Sequence, residues 1–173
     1  MDLYMVDRRN IYSPGDHVTP KHYDDIRPLE MATLVEQLFP HGVAPQGEKY
    51  LLNVDAKMST ADIAIDWCLE FYRRSCYPDK PCRFTSLFAC DSIAQAKQFK
   101  AQYGLPEHKI FCLPNIDLTR CHRGDMAMLH IDTTALEFTY LIDNYWQGQP
   151  GDDVPFWEYV VPLPVTIGEE ITD

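Results

Sequence analysis

The sequence predicts an α+β fold in a single domain that spans residues 1–173. Short segments rich in β-branched and aromatic residues, typical of strands, occur at the start, in the middle and near the end of the chain. Segments with helical periodicity lie between them, and the two kinds do not alternate as regular strand–helix–strand units. No internal repeat, low-complexity run or linker divides the 173 residues, which are enough for one sizeable core.

The first half of the chain is divided by clear turn and capping signals. Its predicted elements are a strand at 3–8, a helix at 28–39, a helix at 59–75 and a strand at 83–89. Pro28 suits a first helical turn, and Ser59 with Asp62 forms a capping box. Spacing predicts two apolar helix faces, formed by Leu29, Ala32, Thr33, Glu36 and Leu38 in the first helix and by Ile63, Ala64, Trp67, Cys68, Phe71 and Tyr72 in the second.

The second half continues with two helices and three strands. The predicted elements are a helix from Ser92 to Gly104, a strand at 108–116, a helix at 134–147 and strands at 156–161 and 164–167. Asp91 or Ser92 caps the first helix, and Gly148 ends the second. The predicted inner side of that second helix consists of Leu136, Tyr140, Leu141, Asn144 and Tyr145. Residues 117–132 receive no clear assignment.

Composition limits the environment and the partners. No apolar run reaches the length of about 18 residues that spans a membrane, and the first residues do not form a secretory signal. We therefore expect a cytoplasmic protein, with secretion without a signal peptide left open. The net charge of -11 disfavours unassisted binding to nucleic acid. Arg73, Arg74, Lys80 and Arg83 form the densest basic cluster, interpreted as a solvated surface.

The common catalytic and metal-binding motifs do not occur in the sequence. It has no Gly-rich phosphate loop, no G-x-S-x-G turn, no H-E-x-x-H helix and no C-x-x-C pair among its six cysteines. No metal site is predicted, and we expect free thiols, with Cys68, Cys90 and Cys112 buried. A small thiol or metal protein that uses Cys76, Cys82 and Cys121 stays as a minor alternative.

Several stretches, taken in their order along the chain, resemble the mono-ADP-ribosyltransferases, and most closely their compact rifampin-modifying branch. These stretches are NIYSPGDHVTP, RFTSLFA followed at once by DSIAQAKQF, then HKIFCLPNI, and near the end PLPVTIGE. FTSLFA, DNYWQG and WEYVV also look like an uncharacterised bacterial family assigned to the same superfamily. The resemblance implies a split, strongly bent β-sheet with flanking helices.

The resemblance also implies an activity, the transfer of ADP-ribose from NAD to a macromolecular acceptor with release of nicotinamide. Superfamily members use a Glu on a late strand to stabilise an oxocarbenium-like state, and Glu158 holds that position. Thr85 and Ser86 match the hydroxyl residues that orient this Glu. The alternatives are an exposed edge carboxylate for Glu158 and ordinary strand residues for the other two.

The implied NAD-binding residues are Tyr4 and Arg8 on the first strand, with Phe84 and Trp157 as aromatic contacts. Related chains carry His or Arg after the first-strand aromatic residue, whereas this chain has Met5, which cannot hydrogen-bond a ribose. A non-catalytic binding module that keeps the fold is therefore the second hypothesis. The aromatic residues have a core interpretation, and Arg8 one as a surface ion pair with Asp7.

By analogy with bacterial relatives, the resemblance suggests a toxin, effector or phage-defence enzyme held by an antitoxin or immunity partner. Acidity favours an acceptor protein or small molecule over nucleic acid.

Overall fold

The computed structural model describes residues 1–52 and 60–172 as helices and small antiparallel sheets, which confirms the α+β prediction. The strands in these residues are β1 (Leu3–Asp7), β2 (His17–Val18), β3 (Ser86–Ala89), β4 (Lys109–Leu113), β5 (His122–Asp125), β6 (Trp157–Pro162) and β7 (Val165–Thr166). The helices are α1 (Leu29–Leu38), α2 (Pro45–Leu51), α3 (Thr60–Cys76), α4 (Ile93–Tyr103) and α5 (Ala135–Gln147). Within the described ranges, no helix combines the length and apolar character that a membrane crossing needs.

The sheet pieces bring distant parts of the chain together. β1 pairs with β4, β2 pairs with β7, and β6 lies between β3 and β5, with every pairing antiparallel. Among the described residues, β1 is joined to the end of β3 only by a bridge between Tyr4 and Cys90. The two backbone hydrogen bonds of this bridge measure 2.9 and 2.7 Å. Three strands from the start, middle and end of the chain, β1, β3 and β6, thus lie side by side.

Capping residues account for the accurate helix predictions. The Ser92 side chain accepts a hydrogen bond from the backbone N–H of Gln95, and Thr134 does the same for Glu137. Gly148 ends α5 with a φ of 75°, which favours glycine. The predicted capping residue Ser59 lies outside the described residues.

Two short elements that pack against each other, a helix and a 3₁₀ turn, were not predicted. Helix α2 lies where the sequence indicated only a broken apolar piece, and Arg83–Thr85 forms a 3₁₀ turn ahead of β3. The backbones of these two elements approach closely: a Cβ added at Gly47 would lie only 2.0 Å from the carbonyl oxygen of Phe84. The close approach of these two backbones depends on tertiary packing, so the local sequence does not predict it. This approach fixes the position of Arg83.

The predicted apolar face of α3 was wrong. Ile65, Asp66, Leu69 and Glu70 are buried, whereas Cys68 and Phe71 are exposed. Both carboxylates on this buried face pair with arginines, and Glu70 accepts hydrogen bonds from Arg73 and Arg74. Because paired acids can occupy an interior, hydrophobic spacing pointed to the other side of the helix.

The inner faces predicted for the other two long helices need a similar correction. In α1 no residue is buried and Leu29 is 69% exposed, although Val35 and Leu38 pack partly against Phe39 and its neighbours. The buried side chains of α5 are Ile142, Tyr145 and Trp146. The predicted α5 residues Leu136 and Tyr140 are 82% and 63% exposed. Trp146 is fully buried and donates its indole N–H to the Leu69 carbonyl at 3.1 Å.

His122 makes stability depend on pH. Its Nε2–H donates to the Tyr145 carbonyl at 2.8 Å, and burial, with Lys80 and Arg83 nearby, lowers the pKa of the ring from 6.5 to about 4. The unfolded chain therefore binds this proton first as the pH falls. We expect this residue to remove up to about 1.4 kcal/mol of unfolding free energy per pH unit between pH 6.5 and 4.

Urea unfolding of the wild type and His122→Asn across that pH range isolates this effect, since other groups titrate in both proteins. The free energy of unfolding should fall more steeply in the wild type. Parallel pH profiles for the two proteins would show that the histidine does not contribute.

Candidate functional site

A cavity of about 300 Å³ lies where β1, β3, α2, α3 and the start of β6 meet. Its lining includes the side chains Tyr4, Arg8, Tyr50, Phe88, Phe99 and Glu158. The volume is at the small end of ligand pockets, and the lining combines aromatic rings with a few charged groups, as ligand sites do.

Glu158 lies in the floor of this cavity, on the central strand of its sheet. Hydrogen-bonded neighbours flank β6 on both sides, and Glu158 is only 5% exposed. The alternative of an exposed edge carboxylate is therefore wrong. Its Oε1 accepts hydrogen bonds from Arg83 Nη1 and from the Tyr145 hydroxyl, the latter at 2.8 Å. Within residues 1–52 and 60–172, no donor contacts Oε2.

Arg83 connects this carboxylate to a second one. Its Nε donates to Asp66 Oδ1 at 2.7 Å, and its Nη1 donates to the Tyr145 hydroxyl at 2.6 Å as well as to Glu158. The guanidinium lies over the Phe88 ring, 4.4 Å from the ring centre. Arg83 is 8% exposed, so its assignment to a solvated basic surface was wrong.

Burial and ion pairing shift the pKa values of these ionisable groups in opposite directions. Burial raises the pKa of the Asp66 carboxyl above its usual range, and the Arg83 guanidinium opposes that rise. Burial disfavours the charged form of Arg83, but Glu158, Tyr145 and Asp66 together hold its pKa well above its usual range. Burial also raises the pKa of Tyr145 well above its usual range. Tyr145 is therefore a neutral hydrogen-bond donor near pH 7.

A glycine allows Tyr145 to reach this position. Gly124 on β5 is the cross-strand partner of Glu158, and a Cβ there would lie 2.2 Å from the Tyr145 ring. Because side chains at paired positions lie on the same face of a sheet, a larger residue would displace the ring from Glu158.

Tyr4 on β1 and Arg8, the residue directly after this strand, line the cavity. On β1, Leu3, Met5 and Asp7 are buried, while the alternate residues are partly exposed. Met5 is buried in the core cluster and also lines the cavity, so its difference from related chains concerns both. Arg8 lies over the Phe99 ring at 5.5 Å and donates to the Tyr50 hydroxyl at 3.4 Å.

Asp7 takes no part in a surface ion pair with Arg8. It is 2% exposed and accepts backbone N–H groups of Arg9, Ile11 and Tyr12, which orders the loop after β1.

Four predicted site residues do not line the cavity. Ser86 and Thr85 donate to the Cys82 carbonyl at 2.7 and 3.3 Å. Ser86 pairs with Pro162, four residues from Glu158, a separation of about 13 Å along the strand, so it cannot orient that carboxylate.

The two aromatic residues among these four have other roles. Phe84 packs in the cluster of Phe39 and Val43, which is its core interpretation. Trp157 lies under the guanidinium of Arg123, 4.2 Å from the ring centre.

The sequence analysis missed the partners of Glu158, namely Asp66, Arg83 and Tyr145. One partial signal was present in the sequence: Asp66 and Glu70 lie one helical turn apart, and Arg73 and Arg74 follow Glu70 at helical spacing, whereas the partner of Asp66, Arg83, lies 17 residues further on. Buried acids of this kind are paired. Helical spacing placed Tyr145 on the inner side of its helix, and it is buried there, but its contact with Glu158 depends on how α5 packs against β5.

The cysteines give no support to a thiol or metal site. None of the six forms a disulfide, and Cys68, predicted as buried, is exposed. Burial raises the pKa of Cys82 to about 12 and that of Cys121 to about 11, so both remain protonated near pH 7. In the part of the chain that the structure describes, no three or more His, Cys, Asp or Glu side chains cluster as metal ligands.

Comparison with known proteins identifies a family. A comparison with curated proteins finds no match. A family model described as a protein of unknown function (DUF2441) matches residues 18–173, which is most of the chain and includes Asp66, Arg83, Tyr145 and Glu158. The chain therefore belongs to the DUF2441 family.

Proposed function

We propose that this chain is a mono-ADP-ribosyltransferase, an NAD-dependent glycosyltransferase that moves ADP-ribose from NAD to a macromolecular acceptor and releases nicotinamide. The observation that carries the proposal is the position of Glu158. This buried carboxylate lies on the late strand β6, in the floor of a cavity that β1 and β3 also line. These are the strands on which the resemblance to the superfamily rests, and a split sheet of this kind is part of the proposal.

The charge of the cavity floor suits this substrate. Glu158 and Asp66 lie there with Arg83 between them, so two carboxylates face one buried guanidinium. The nicotinamide ring of NAD is cationic, and this positive charge moves to the ribose as the glycosidic bond breaks. The fixed negative charge of Glu158, in a cavity of low dielectric, stabilises the charge on the ribose more than it would in water.

The remaining lining suits parts of the same molecule. The ring of Tyr4 offers a face on which a planar ring can stack, whereas Arg83 and Arg8 lie over the rings of Phe88 and Phe99. Arg8 has a fork that suits the oxygens of a pyrophosphate. Because the cavity holds only about 300 Å³, we place nicotinamide and its ribose inside and the pyrophosphate at Arg8.

The proposed reaction replaces one bond to the ribose C1′ by another. The bond between the ribose C1′ and the nicotinamide nitrogen breaks, and its electron pair leaves with nicotinamide, which becomes neutral. A nucleophilic atom of the acceptor forms the new bond to C1′ and loses its proton. Glu158 stabilises the positive charge on the ribose between these events. Tyr145 and Arg83, not Ser86 and Thr85, hold the carboxylate in this scheme.

A transfer experiment tests this function. The chain is incubated with a cell lysate and NAD labelled in its adenosine half, and the macromolecules are then separated. We expect label in macromolecules that protease treatment removes, since the acidic chain favours a protein acceptor. Label that resists protease but not nuclease would indicate a nucleic-acid acceptor. Absence of label in every fraction, together with intact NAD, would contradict the proposal.

One observation favours a second function, a binding module that has kept the fold without the chemistry. The Oε1 atom of Glu158 already accepts two hydrogen bonds, from Arg83 and Tyr145. A carboxylate so engaged can act as structural support for a ligand pocket. Calorimetric titration shows whether NAD binds, and an assay for free nicotinamide then separates the two functions, because a module of this type binds NAD without releasing nicotinamide.

The biological setting is a proposal by analogy alone. We propose a bacterial toxin, effector or phage-defence enzyme that acts in the cytoplasm and is held by an antitoxin or immunity partner. Growth of a bacterial host tests this: wild-type protein should arrest growth and Glu158→Gln should not. Equal growth with both proteins would contradict the toxin role.

A further inference from the structure

Four elements contribute to one buried polar cluster, which we call the Arg83 network: Asp66 from α3, Arg83 from the 3₁₀ turn, Tyr145 from α5 and Glu158 from β6. Its hydrogen bonds form a closed triangle among Arg83, Tyr145 and Glu158, with Asp66 attached to the far side of the guanidinium. A closed set of bonds from separate elements fixes a side chain in space more strictly than a single bond does.

Burial of the Arg83 network costs the fold free energy. Each of its three charged residues is at most 8% exposed, and one guanidinium faces two carboxylates, so burial leaves an excess negative charge. A buried charge that lacks full compensation costs free energy, and an apolar set of similar volume would be as stable or more so. Arrangements of this kind occur preferentially at functional sites.

The orientation of Arg83 depends on Asp66. The Nε of Arg83 is bound to Asp66 Oδ1 at 2.7 Å, and its plane is set by the Phe88 ring beneath it. With Nε held, Nη1 is directed at Tyr145 and Glu158. Both bonds to Glu158 end on Oε1, which leaves Oε2 as the oxygen available to a ligand in the cavity.

We propose that Arg83 and Asp66 are positioning residues, with Asp66 acting through Arg83 to hold the Glu158 carboxylate at the angle that presents Oε2 to the substrate. This inference rests on the proposed function, since it assigns the residues that support the same site. Neither residue contacts the reacting atoms. Their loss should therefore slow the reaction without a matching loss of NAD binding.

The first measurement compares the kinetics of Asp66→Asn with those of the wild type. Misplacing a reacting group by about 1 Å can cost on the order of 100-fold in rate, so we expect kcat for nicotinamide release to fall roughly 10- to 100-fold. The KM for NAD should change less than about threefold, because binding in the ground state is retained.

Glu70→Gln is the matched control. Glu70 lies one turn from Asp66 on α3, is equally buried and also binds arginines, but it does not line the cavity. This variant should lose stability and keep the kcat of its folded fraction. An Asp66→Asn protein that is folded and has the kcat of the wild type would overturn the proposal.

A second measurement needs no activity and no variant. The Nε–H of Arg83, assigned by NMR through its bonded carbons, should exchange with solvent slowly in the ligand-free wild type, because it is buried and bound to Asp66. Fast exchange would overturn the positioning role whatever the activity. Slow exchange in a chain that never releases nicotinamide would contradict the proposed function and leave the geometry of the pair intact.

Discussion

Glu158→Gln is expected to lower nicotinamide release from NAD roughly 100- to 1,000-fold, the size of effect seen when one preorganised electrostatic stabiliser is removed. The physical reason is charge: glutamine is nearly the same shape but cannot oppose the positive charge that develops on the ribose. Its carbonyl oxygen can still accept the hydrogen bonds of Arg83 and Tyr145. The fold should therefore survive, and circular dichroism with urea unfolding checks this.

Glu70→Gln also serves as the control for this prediction. It neutralises a buried carboxylate of equal type at a position outside the cavity, so release should stay at the wild-type rate. If Glu158→Gln released nicotinamide as fast as the wild type, with its fold intact, Glu158 would have no part in the chemistry. A loss of release in both variants would indicate damage to the fold and not to the site.

Arg83→Met is expected to have the largest effect on stability, a loss of about 3–5 kcal/mol in the free energy of unfolding. Methionine has a comparable length but no charge, so Asp66 and Glu158 would remain buried without their cation. Urea unfolding at pH 7 measures the loss. Adding Asp66→Asn and Glu158→Gln to the same protein removes both orphaned charges and should recover part of it.

Arg123→Met is the matched control for that substitution. Arg123 is exposed and contacts the Trp157 ring through its guanidinium, a type of contact worth about 0.5–1 kcal/mol at the surface. An Arg83→Met protein as stable as the Arg123→Met protein would show that the two buried carboxylates do not depend on Arg83.

Much of the fold followed from local signals in the sequence. The cap at Ser92 and the stop at Gly148, together with helical spacing, located α4 and α5, and the structure adds a cap at Thr134. The interior of α3 was predicted on the wrong side, because its buried positions include Asp66 and Glu70. Hydrophobic spacing cannot identify a face whose charges are neutralised by partners elsewhere in the chain.

The candidate site was predictable only in part. An acid within an apolar strand marked Glu158, and Tyr4 and Arg8 were placed on the strand that lines the same cavity. Ser86 was chosen for its place in a motif, but the register of β3 and β6 pairs it with Pro162, four residues from Glu158. Arg83 and Tyr145 contact Glu158 through tertiary packing, and no single segment of the sequence predicts these contacts.

The central claim is that this chain breaks the glycosidic bond of NAD, and nicotinamide release by the purified wild-type chain measures that claim directly. The chain is incubated with NAD alone and with a cell lysate that supplies acceptors, and free nicotinamide is followed over time. We expect release in the presence of lysate that continues beyond one equivalent per chain. A folded chain that releases no nicotinamide under either condition would contradict it.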